Sequence, residues 1–446
     1  MSTEIPNKKK DLNKKEMEVK FITDLESEIY KLNQNIFHIP LNFTSNKLNE
    51  LLNKLLSLNE PKNFSFFINN IKLTKNLNEF LSENKIITEN QIEIYYLLEI
   101  NEPQKTNTIK ENEWIKNIQI LKEMKFSNKN SNFCVGLFNG EISFYNSNNK
   151  IYTLKNLENS VDEDCLGLLT CLKYYVDSNN NKILIRCLKN SNNKLEIYNI
   201  NPELNSYNLL FKNNKISDEN YLNVDINPIN FNIIAMAGQQ NKKGIIDIFD
   251  INNLSLNKTN SKKKRKIDFT ELNPIFTFNE VHYSETNLVN FLNEEYLISC
   301  GDDFNINIFN INKKNLYLNF NTNYKNPTSL IRFNNNSFLI GFNDGLIKLY
   351  DIKQNEKQNN IFFKDPKAFT GYISDISLCN DKENYSNTFV TSSYDSNVKI
   401  WDIRGGRLPL IKINSEEDEK IFSVKFNGLN NIIFGGDGSR VNTYTF

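Results

Sequence analysis

The sequence predicts a mainly β protein in which a seven-bladed β-propeller follows a small α+β domain. The first observation is a hairpin pattern at residues 389–402, where an apolar run, a polar turn and a second apolar run follow one another. This pattern occurs seven times between residues 133 and 444. Short strand patterns around one amphipathic helix in residues 18–100 are the third observation. Repetition of a strand pattern at this scale is typical of propellers, because each blade is one antiparallel sheet.

The hairpin at residues 389–402 has the most specific pattern. Ser393 precedes its turn, Asp395 lies in the turn, and the second strand ends in Trp401 and Asp402. This combination is typical of a WD repeat. We interpret the four residues as structural, with Trp401 packed between blades and Asp402 capping local backbone.

The other six hairpins are weaker copies, of which residues 183–199 are the poorest. In every copy the second strand ends in an aromatic residue followed by a polar one, and successive aromatics lie 41 to 60 residues apart. Since one blade needs about 40–45 residues, the longer gaps indicate loop insertions. The seven aromatic positions are Tyr145, Tyr198, Phe249, Phe309, Tyr350, Trp401 and Tyr444.

The propeller is predicted over residues 113–446, and its last blade lacks one strand at the end of the chain. We expect the linker at residues 101–112 to supply that outermost strand, near residues 106–110. Pairing the two ends in this way removes an exposed sheet edge.

Residues 18–100 predict a separate domain. Five leucines in residues 48–56 recur with helical spacing after Ser45, which we expect to cap the helix. The strand patterns and one helical turn lie at residues 19–22, 36–41, 64–68, 71–73, 77–81 and 92–100. This order predicts a ubiquitin-like β-grasp domain. Residues 1–17 are rich in lysine and lack periodicity, so we expect a disordered tail.

Composition and charge narrow the class of protein. The chain has 53 basic and 53 acidic residues, so its net charge favours neither nucleic acid nor membranes. No apolar run approaches the about 20 residues of a membrane helix. The six cysteines form no Cys-x-x-Cys pair, which indicates free thiols in a reducing compartment. We therefore expect a soluble intracellular protein.

Residues suited to catalysis are scarce. The only histidines are His38 and His282, which we expect at a strand end and in a blade loop, in structural roles. They complete neither a Ser-His-Asp set nor a zinc site, and no glycine-rich phosphate loop is present. The sequence therefore predicts a protein that is not an enzyme and holds no metal or cofactor of its own.

Segments along the whole chain resemble those of a known family. They are residues 19–23, 64–73, 87–96, 113–115, 369–373, 392–402 and 423–446. In this order they resemble the Notchless-like (NLE) domain followed by WD repeats of ribosome-assembly factors, and most of all the WD-repeat subunit of the PeBoW complex. The resemblance implies a non-catalytic factor in pre-rRNA processing and maturation of the pre-60S particle. The implied partners are the block-of-proliferation and pescadillo proteins.

Glu89 receives the most specific role from this resemblance. By itself it is a carboxylate in a polar turn, which fits an ordinary solvated residue. In NLE domains a glutamate at this place completes the coordination of a Mg²⁺ ion held by the AAA ATPase midasin. A carboxylate suits Mg²⁺, which prefers oxygen ligands. The resemblance implies that Glu89 supplies this ligand in trans, so that ATP-driven force releases the factor from the pre-ribosome.

A basic run follows the third blade pattern, within residues 257–273. Its members are Lys262, Lys263, Lys264, Arg265 and Lys266. Such a run stays extended because like charges repel. By itself it fits a nuclear-import signal or an RNA-phosphate contact as well as a solvated loop. The family carries a basic insertion at this place, which favours import and a location in the nucleus, nucleolus and nucleoplasm. We expect no sequence-specific nucleic-acid binding.

Two alternative functions are compatible with parts of the sequence. A Notchless-type release factor shares the N-terminal domain, but the blade count of seven and the basic run argue against it. A propeller adaptor of a ubiquitin ligase would direct its β-grasp domain toward ubiquitin machinery. Glu89 would then matter no more than its neighbours.

Overall fold

A computed structural model describes residues 16–446 except residues 24, 26, 70, 87–90, 100, 122–131, 147–148, 156–166, 178, 190–194, 202–205, 213–219, 253–272, 354–360, 364–370, 380–386, 404–407, 416–417 and 428–430. The chain divides into two compact units, one mainly of residues up to Asn101 and the other mainly of residues from Glu102 onward. Neither helix in the described part is long and apolar enough to cross a membrane.

The N-terminal unit is a five-stranded mixed sheet with two helices. Its elements are β1 (Glu16–Ile22), a 3₁₀ turn (Glu28–Tyr30), β2 (Ile36–Pro40), α1 (Ser45–Leu56), β3 (Phe64–Ile68), β4 (Ile71–Lys72), α2 (Leu77–Glu83) and β5 (Ile92–Leu98). The strand order is β2-β1-β5-β3-β4. Strands β1 and β5 are parallel, and the other pairs are antiparallel.

Helix α1 packs through the leucine face that its sequence predicts. Leu48 and Leu52 are fully buried, and Leu51, Leu55 and Leu56 pack against the same core. A helix of 12 residues is marginal alone in water, so this apolar face supplies most of its stability.

Two details of this unit differ from the prediction. Ser45 is the first residue of α1, and Thr44 occupies the cap position without a side-chain hydrogen bond to the helix. The prediction of Ser45 as the cap was wrong, since the helix starts one residue earlier than expected. Strand β1 begins at Glu16, inside the segment predicted to be disordered, because Met17 is buried and pairs with Ile39.

The second unit contains, among the described residues, seven antiparallel sheets of four strands each, which we number as blades 1 to 7. Blade 1 has β7 (Ile115–Ile120), β8 (Asn132–Leu137), β9 (Ile142–Asn146) and β10 (Asn149–Leu154). Blade 2 has β11 (Leu168–Val176), β12 (Lys182–Lys189), β13 (Leu195–Asn201) and β14 (Ser206–Lys212). Blade 3 has β15 (Asn220–Ile226), β16 (Ile233–Gln240), β17 (Lys243–Asp250) and β18 (Phe276–His282).

The remaining blades continue in the same order. Blade 4 has β19 (Thr286–Phe291), β20 (Tyr296–Gly301), β21 (Asn305–Asn310) and β22 (Asn315–Asn321). Blade 5 has β23 (Pro327–Arg332), β24 (Ser337–Phe342), β25 (Ile347–Asp351) and β26 (Ile361–Phe363). Blade 6 has β27 (Ile373–Leu378), β28 (Thr388–Ser393), β29 (Asn397–Asp402) and β30 (Ile411–Asn414). Blade 7 has β31 (Ile421–Asn427), β32 (Asn431–Gly436), β33 (Arg440–Thr445) and β6 (Gln104–Lys110).

The blades form a closed ring. The first strands of successive blades pack against one another all the way round, with β31 of blade 7 beside β7 of blade 1. Strand β6 comes from the start of the unit and pairs with β33, so the last sheet joins both ends of the propeller. The predicted fold class, a seven-bladed propeller after a ubiquitin-like domain, is therefore confirmed.

The seven aromatic residues predicted to end the hairpins all lie in the third strand of their blades and are buried. Three of them stack on an aromatic residue directly opposite in the second strand: Tyr145 on Phe133, Tyr350 on Phe338 and Trp401 on Phe389. Aromatic cross-strand pairs of this kind add to the stability that burial gives a sheet.

Candidate functional site

The structure locates only part of the predicted functional residues. Glu89 and the basic run (Lys262, Lys263, Lys264, Arg265 and Lys266) lie outside the described residues. The four residues of the WD-type hairpin are described, and they lie on β28, β29 and the turn between these strands.

Trp401 is enclosed between two blades. It is 1% exposed, and its Nε1 donates a hydrogen bond of 2.9 Å to the Thr391 hydroxyl. One face of the ring stacks on Phe389, and Phe363 of blade 5 contacts it edge-on. The ring therefore joins blades 5 and 6 while its one polar atom stays satisfied.

The turn of the same hairpin is held by Asp395. Its carboxylate accepts hydrogen bonds from the Asn397 backbone at 3.2 Å and from the buried Lys399 ammonium at 2.9 Å. Ser393 accepts a bond from the Asp395 backbone, and Asp402 accepts one from the Thr388 hydroxyl. All of these contacts are internal to blade 6, so the hairpin residues position the turn and leave no free chemical group.

His282 joins blades 3 and 4 through a buried network that the sequence did not reveal. Its Nδ1 lies 2.8 Å from Asp303 Oδ1, and its Nε2 lies 2.8 Å from the Ser299 hydroxyl. His282 lies at the end of β18 and is 2% exposed. The prediction that it lies in a blade loop was wrong. A Gly-His pair just before a blade is part of the WD-repeat pattern, but here Val281 stands in place of the glycine, so the signal in the sequence was weak.

The His282 contact predicts a specific response to acid. Burial alone would raise the pKa of Asp303. The hydrogen bond and charge of His282 outweigh this effect and hold that pKa below its ordinary value. A carboxyl whose pKa is lowered by folding contributes stability above its unfolded pKa, and this contribution is lost as the pH falls through its folded pKa. We therefore expect the free energy of unfolding, measured with urea, to fall as the pH decreases below about 4. This fall should be less steep for the Asp303→Asn variant than for the parent chain.

The neighbouring exposed carboxylate provides the control for this prediction. Asp302→Asn removes one carboxylate from the same turn without touching His282. We expect its unfolding free energy to follow the parent pH dependence. Equal slopes for the parent and Asp303→Asn would contradict the role given to this network.

A central cavity of about 780 Å³ opens on one face of the ring. In every blade, the pairing of the first two strands has a β-bulge at the same place. The residue left without a register partner lines the cavity in all seven blades. These residues are Lys116, Thr170, Leu222, Asn287, Thr328, Ser374 and Phe422. A β-bulge changes the direction in which a side chain points, so this face of the ring presents the bulge side chain of each blade.

The hydroxyl side chains among these bulge residues join neighbouring blades. Thr170, Thr328 and Ser374 donate hydrogen bonds to the carbonyls of Tyr221, Ile373 and Ile421, each in the first strand of the next blade. Three of the seven positions thus join neighbouring blades, and the other four bulge residues that line the cavity are Lys116, Leu222, Asn287 and Phe422.

Five aromatic side chains form a continuous row beside the cavity, across blades 6, 7 and 1. We call Trp114, Phe138, Tyr372, Tyr394 and Phe422 the aromatic arc. Neighbouring rings have centroids 4.2 to 6.4 Å apart. Trp114 is 49% exposed, and the other four rings are only partly covered. Sequence reasoning missed the arc, since its residues lie at strand ends that are far apart in the chain.

The chemistry of these residues favours binding. Within the described ranges, no group of three or more His, Cys, Asp or Glu side chains is placed to hold a metal ion. Burial raises the pKa of the Cys134, Cys187 and Cys300 thiols, which keeps them protonated and weakly nucleophilic. A concave face with exposed aromatic residues is typical of a protein-interaction surface.

Two protein-family models match segments of this chain, one in each part of it. The model described as "NLE (NUC135) domain" matches residues 17–81, within the N-terminal unit. The model described as "WD domain, G-beta repeat" matches residues 364–402, which include the Trp401 hairpin. The two matches occur in the order that the sequence analysis expected.

Curated proteins similar to this chain are named for ribosome biogenesis. A "Ribosome biogenesis protein WDR12 homolog" of Trichoplax adhaerens is 23% identical over 92% of each chain. A "Ribosome biogenesis protein YTM1" of Debaryomyces hansenii is 22% identical over 96% of this chain and 97% of its own length. A protein of the same name from Laccaria bicolor is 32% identical over 20% of each chain.

Proposed function

We propose that this chain, an NLE-domain and WD40-repeat protein similar over nearly its whole length to ribosome biogenesis proteins, is an assembly factor of the large ribosomal subunit. The observation that carries this proposal is the combination of an NLE match in the N-terminal unit with a complete propeller later in the chain. The similarity to a relative named for ribosome biogenesis extends over nearly the whole length of both chains. The factor acts in the nucleus and nucleolus, where its basic run serves import.

The propeller acts as a non-catalytic scaffold in this proposal. It holds block-of-proliferation and pescadillo proteins in a PeBoW-type complex on the pre-60S particle. The exposed aromatic residues and the central cavity support a scaffold role, because such surfaces bind proteins by shape and apolar contact.

The N-terminal unit acts as the handle on which midasin pulls. Glu89 lies three residues before β5 begins at Ile92. Strand β5 is the central strand of the sheet, paired with β1 on one side and β3 on the other. Force applied at Glu89 therefore loads a strand that is hydrogen-bonded along both edges. That arrangement suits a unit that has to stay folded while ATP hydrolysis in the partner pulls it.

Binding to the midasin metal-site domain should require both Glu89 and Mg²⁺. Glu89→Gln keeps the shape of the side chain but removes the charge that an Mg²⁺ ligand supplies. We expect its affinity to fall about tenfold or more, which corresponds to about 1.4 kcal/mol. Titration calorimetry with the full-length chain, in Mg²⁺ and in EDTA, measures this loss.

Glu79→Gln is the matched control, because Glu79 is an exposed glutamate in the first turn of α2 of the same unit. We expect parent affinity for this variant. Binding that ignores EDTA, or that weakens equally in both variants, would return Glu89 to the role of a solvated surface residue.

A further inference from the structure

Strand β6 connects the two units of the chain and also completes the propeller. It begins at Gln104, and only five residues separate it from the end of β5 at Leu98. It is the outermost strand of blade 7 and pairs along one edge with β33. Tension that runs along the chain from the N-terminal unit therefore acts on β6 before it reaches the rest of the propeller.

Few side-chain contacts hold β6 in place. None of its seven residues is buried, and Ile109, its one apolar residue, packs at the margin of the core. Thr106 donates a hydrogen bond of 3.0 Å to the Thr443 carbonyl, and Thr108 donates one of 3.0 Å to the Asn442 side chain. A bulge interrupts the backbone register of the pair. The strand is thus held mainly by backbone hydrogen bonds, with little apolar burial to stabilise it.

The direction of the pull decides how these hydrogen bonds break. Gln104 pairs with Thr445, at the end of β6 that continues into the N-terminal unit. Tension on this end loads the hydrogen bonds one after another, because each bond shields the next until it breaks. Bonds that are loaded singly break at a lower force than bonds that share the load.

The N-terminal unit is loaded in a more resistant way. Under the proposed function the force enters at Glu89 and leaves after Leu98, so it runs along β5, which is already extended. Four of the seven residues of β5 are buried, and the strand is paired on both edges. A pull from the N-terminal end of the chain instead shears the parallel pair of β1 and β5, whose hydrogen bonds share the load. In both cases β6 separates first.

Glu111 directly follows β6 and anchors the chain at that point. It is 4% exposed, and its backbone N–H donates a hydrogen bond of 2.8 Å to the Ser439 carbonyl of blade 7. Its carboxylate accepts hydrogen bonds from the Tyr145 hydroxyl and, at 2.9 Å, from the Lys150 ammonium, both in blade 1. Pulling a buried carboxylate away from these donors costs more than peeling off an exposed strand, so the release of β6 stops at Glu111.

We propose that β6 is a force-sensitive latch of the propeller. Tension on the N-terminal unit peels β6 from β33 as far as Glu111, while the N-terminal unit stays folded. The loss of β6 uncovers the outer edge of blade 7 and breaks the link between the two ends of the ring. The pull therefore loosens the propeller itself. This inference deepens the proposed function and rests on it for the source of the force.

Force spectroscopy with optical tweezers tests the latch on the purified full-length chain, with one handle at each end of the chain. The two handles then pull on the same end of the pair of β6 and β33. We expect a small first opening at low force that releases the seven residues of β6, about 24 Å of chain. Unfolding of either unit should follow only at higher force.

A disulfide across the pair identifies the strands that separate. The side chains of Thr108 and Asn442 are in contact on opposite strands, so the Thr108→Cys/Asn442→Cys variant places two thiols within bonding reach. After oxidation, the first opening should shorten to the four residues that precede the disulfide, about 14 Å of chain. Reduction of the same molecules should restore the full opening.

Glu111→Gln tests the anchor, because it keeps the shape of the side chain and removes the charge that pairs with Lys150. We expect the event that follows the first opening to occur at a lower force than in the parent chain. Glu113→Gln is the matched control in the same linker, since the Glu113 carboxylate accepts a hydrogen bond from the backbone of the next residue. It should behave like the parent chain.

Three results would overturn the inference: no small opening, unfolding of the N-terminal unit before it, or an opening whose length does not change on oxidation of the cysteine pair. An unchanged force for Glu111→Gln would contradict the anchor at Glu111. Because these measurements use the purified chain, they can fail while the chain still associates with the pre-60S particle. The failure of this inference is thus distinct from failure of the proposed function.

Discussion

Replacing Trp401 with alanine is expected to lower the free energy of unfolding of the propeller by about 3–5 kcal/mol. The ring is fully enclosed between blades 5 and 6, and its removal leaves a cavity that Phe389 and Phe363 cannot fill. The Thr391 hydroxyl also loses its partner. Urea unfolding followed by circular dichroism measures the loss.

The second tryptophan of the chain provides the control. Trp114 is half exposed in the aromatic arc, so Trp114→Ala should change the unfolding free energy by less than about 1 kcal/mol. Both variants remove a tryptophan side chain, so a difference in their unfolding free energies reflects the burial of Trp401 and not the type of residue removed. Equal stability of Trp401→Ala and the parent chain would show that the hairpin does not organise its blade in the way the structure indicates.

Replacing Arg186 with methionine should cost a similar amount, about 3–5 kcal/mol. Arg186 is 1% exposed and forms a buried salt bridge with Glu196, directly opposite on the neighbouring strand. It also donates to the Gly140 carbonyl of blade 1 at 2.8 Å and to the Tyr198 hydroxyl at 3.0 Å. Its loss leaves the Glu196 carboxylate buried with the Tyr198 hydroxyl as a neutral partner. The same urea titration measures this cost.

The double variant Arg186→Met/Glu196→Met separates the charge from the packing. An apolar pair of similar volume removes the uncompensated carboxylate, so the double variant should be more stable than Arg186→Met alone. If the second substitution adds to the cost of the first, the pair acts through packing and the electrostatic explanation is wrong.

Much of the architecture was predictable from the sequence, because residues that are buried in strands and helices recur along the chain with a regular spacing. The aromatic position in each third strand is set by the need to fill the space between blades, and all seven predicted positions lie there. The leucine spacing of α1 predicted its buried face for the same reason.

The polar networks were not predictable, because the blades are stabilised by pairs of different polar residues. Blade 4 uses Asp303 with His282 from blade 3, blade 6 uses Asp395 with Lys399, and blade 2 uses Arg186 with Glu196. The partners come from different distances along the chain, so no fixed spacing reveals them. This variety also explains why blade 2 is the weakest copy in sequence while its sheet is complete.

The aromatic arc was hidden for a geometric reason. Its residues belong to three blades, and Trp114 and Phe422 are separated by nearly the whole propeller in sequence while their rings are 6.4 Å apart. Only closure of the ring brings them together. A surface of this kind becomes visible once blade 7 is placed beside blade 1.

The most direct test of the assembly role is sedimentation of the tagged full-length chain from its own cells through a sucrose gradient, with probes for large-subunit and small-subunit precursor RNA. We expect the chain to sediment with the large-subunit precursor, and its depletion to reduce free large subunits relative to small ones. A chain that stays at the top of the gradient, with an unchanged ratio of subunits after depletion, would contradict the proposed function.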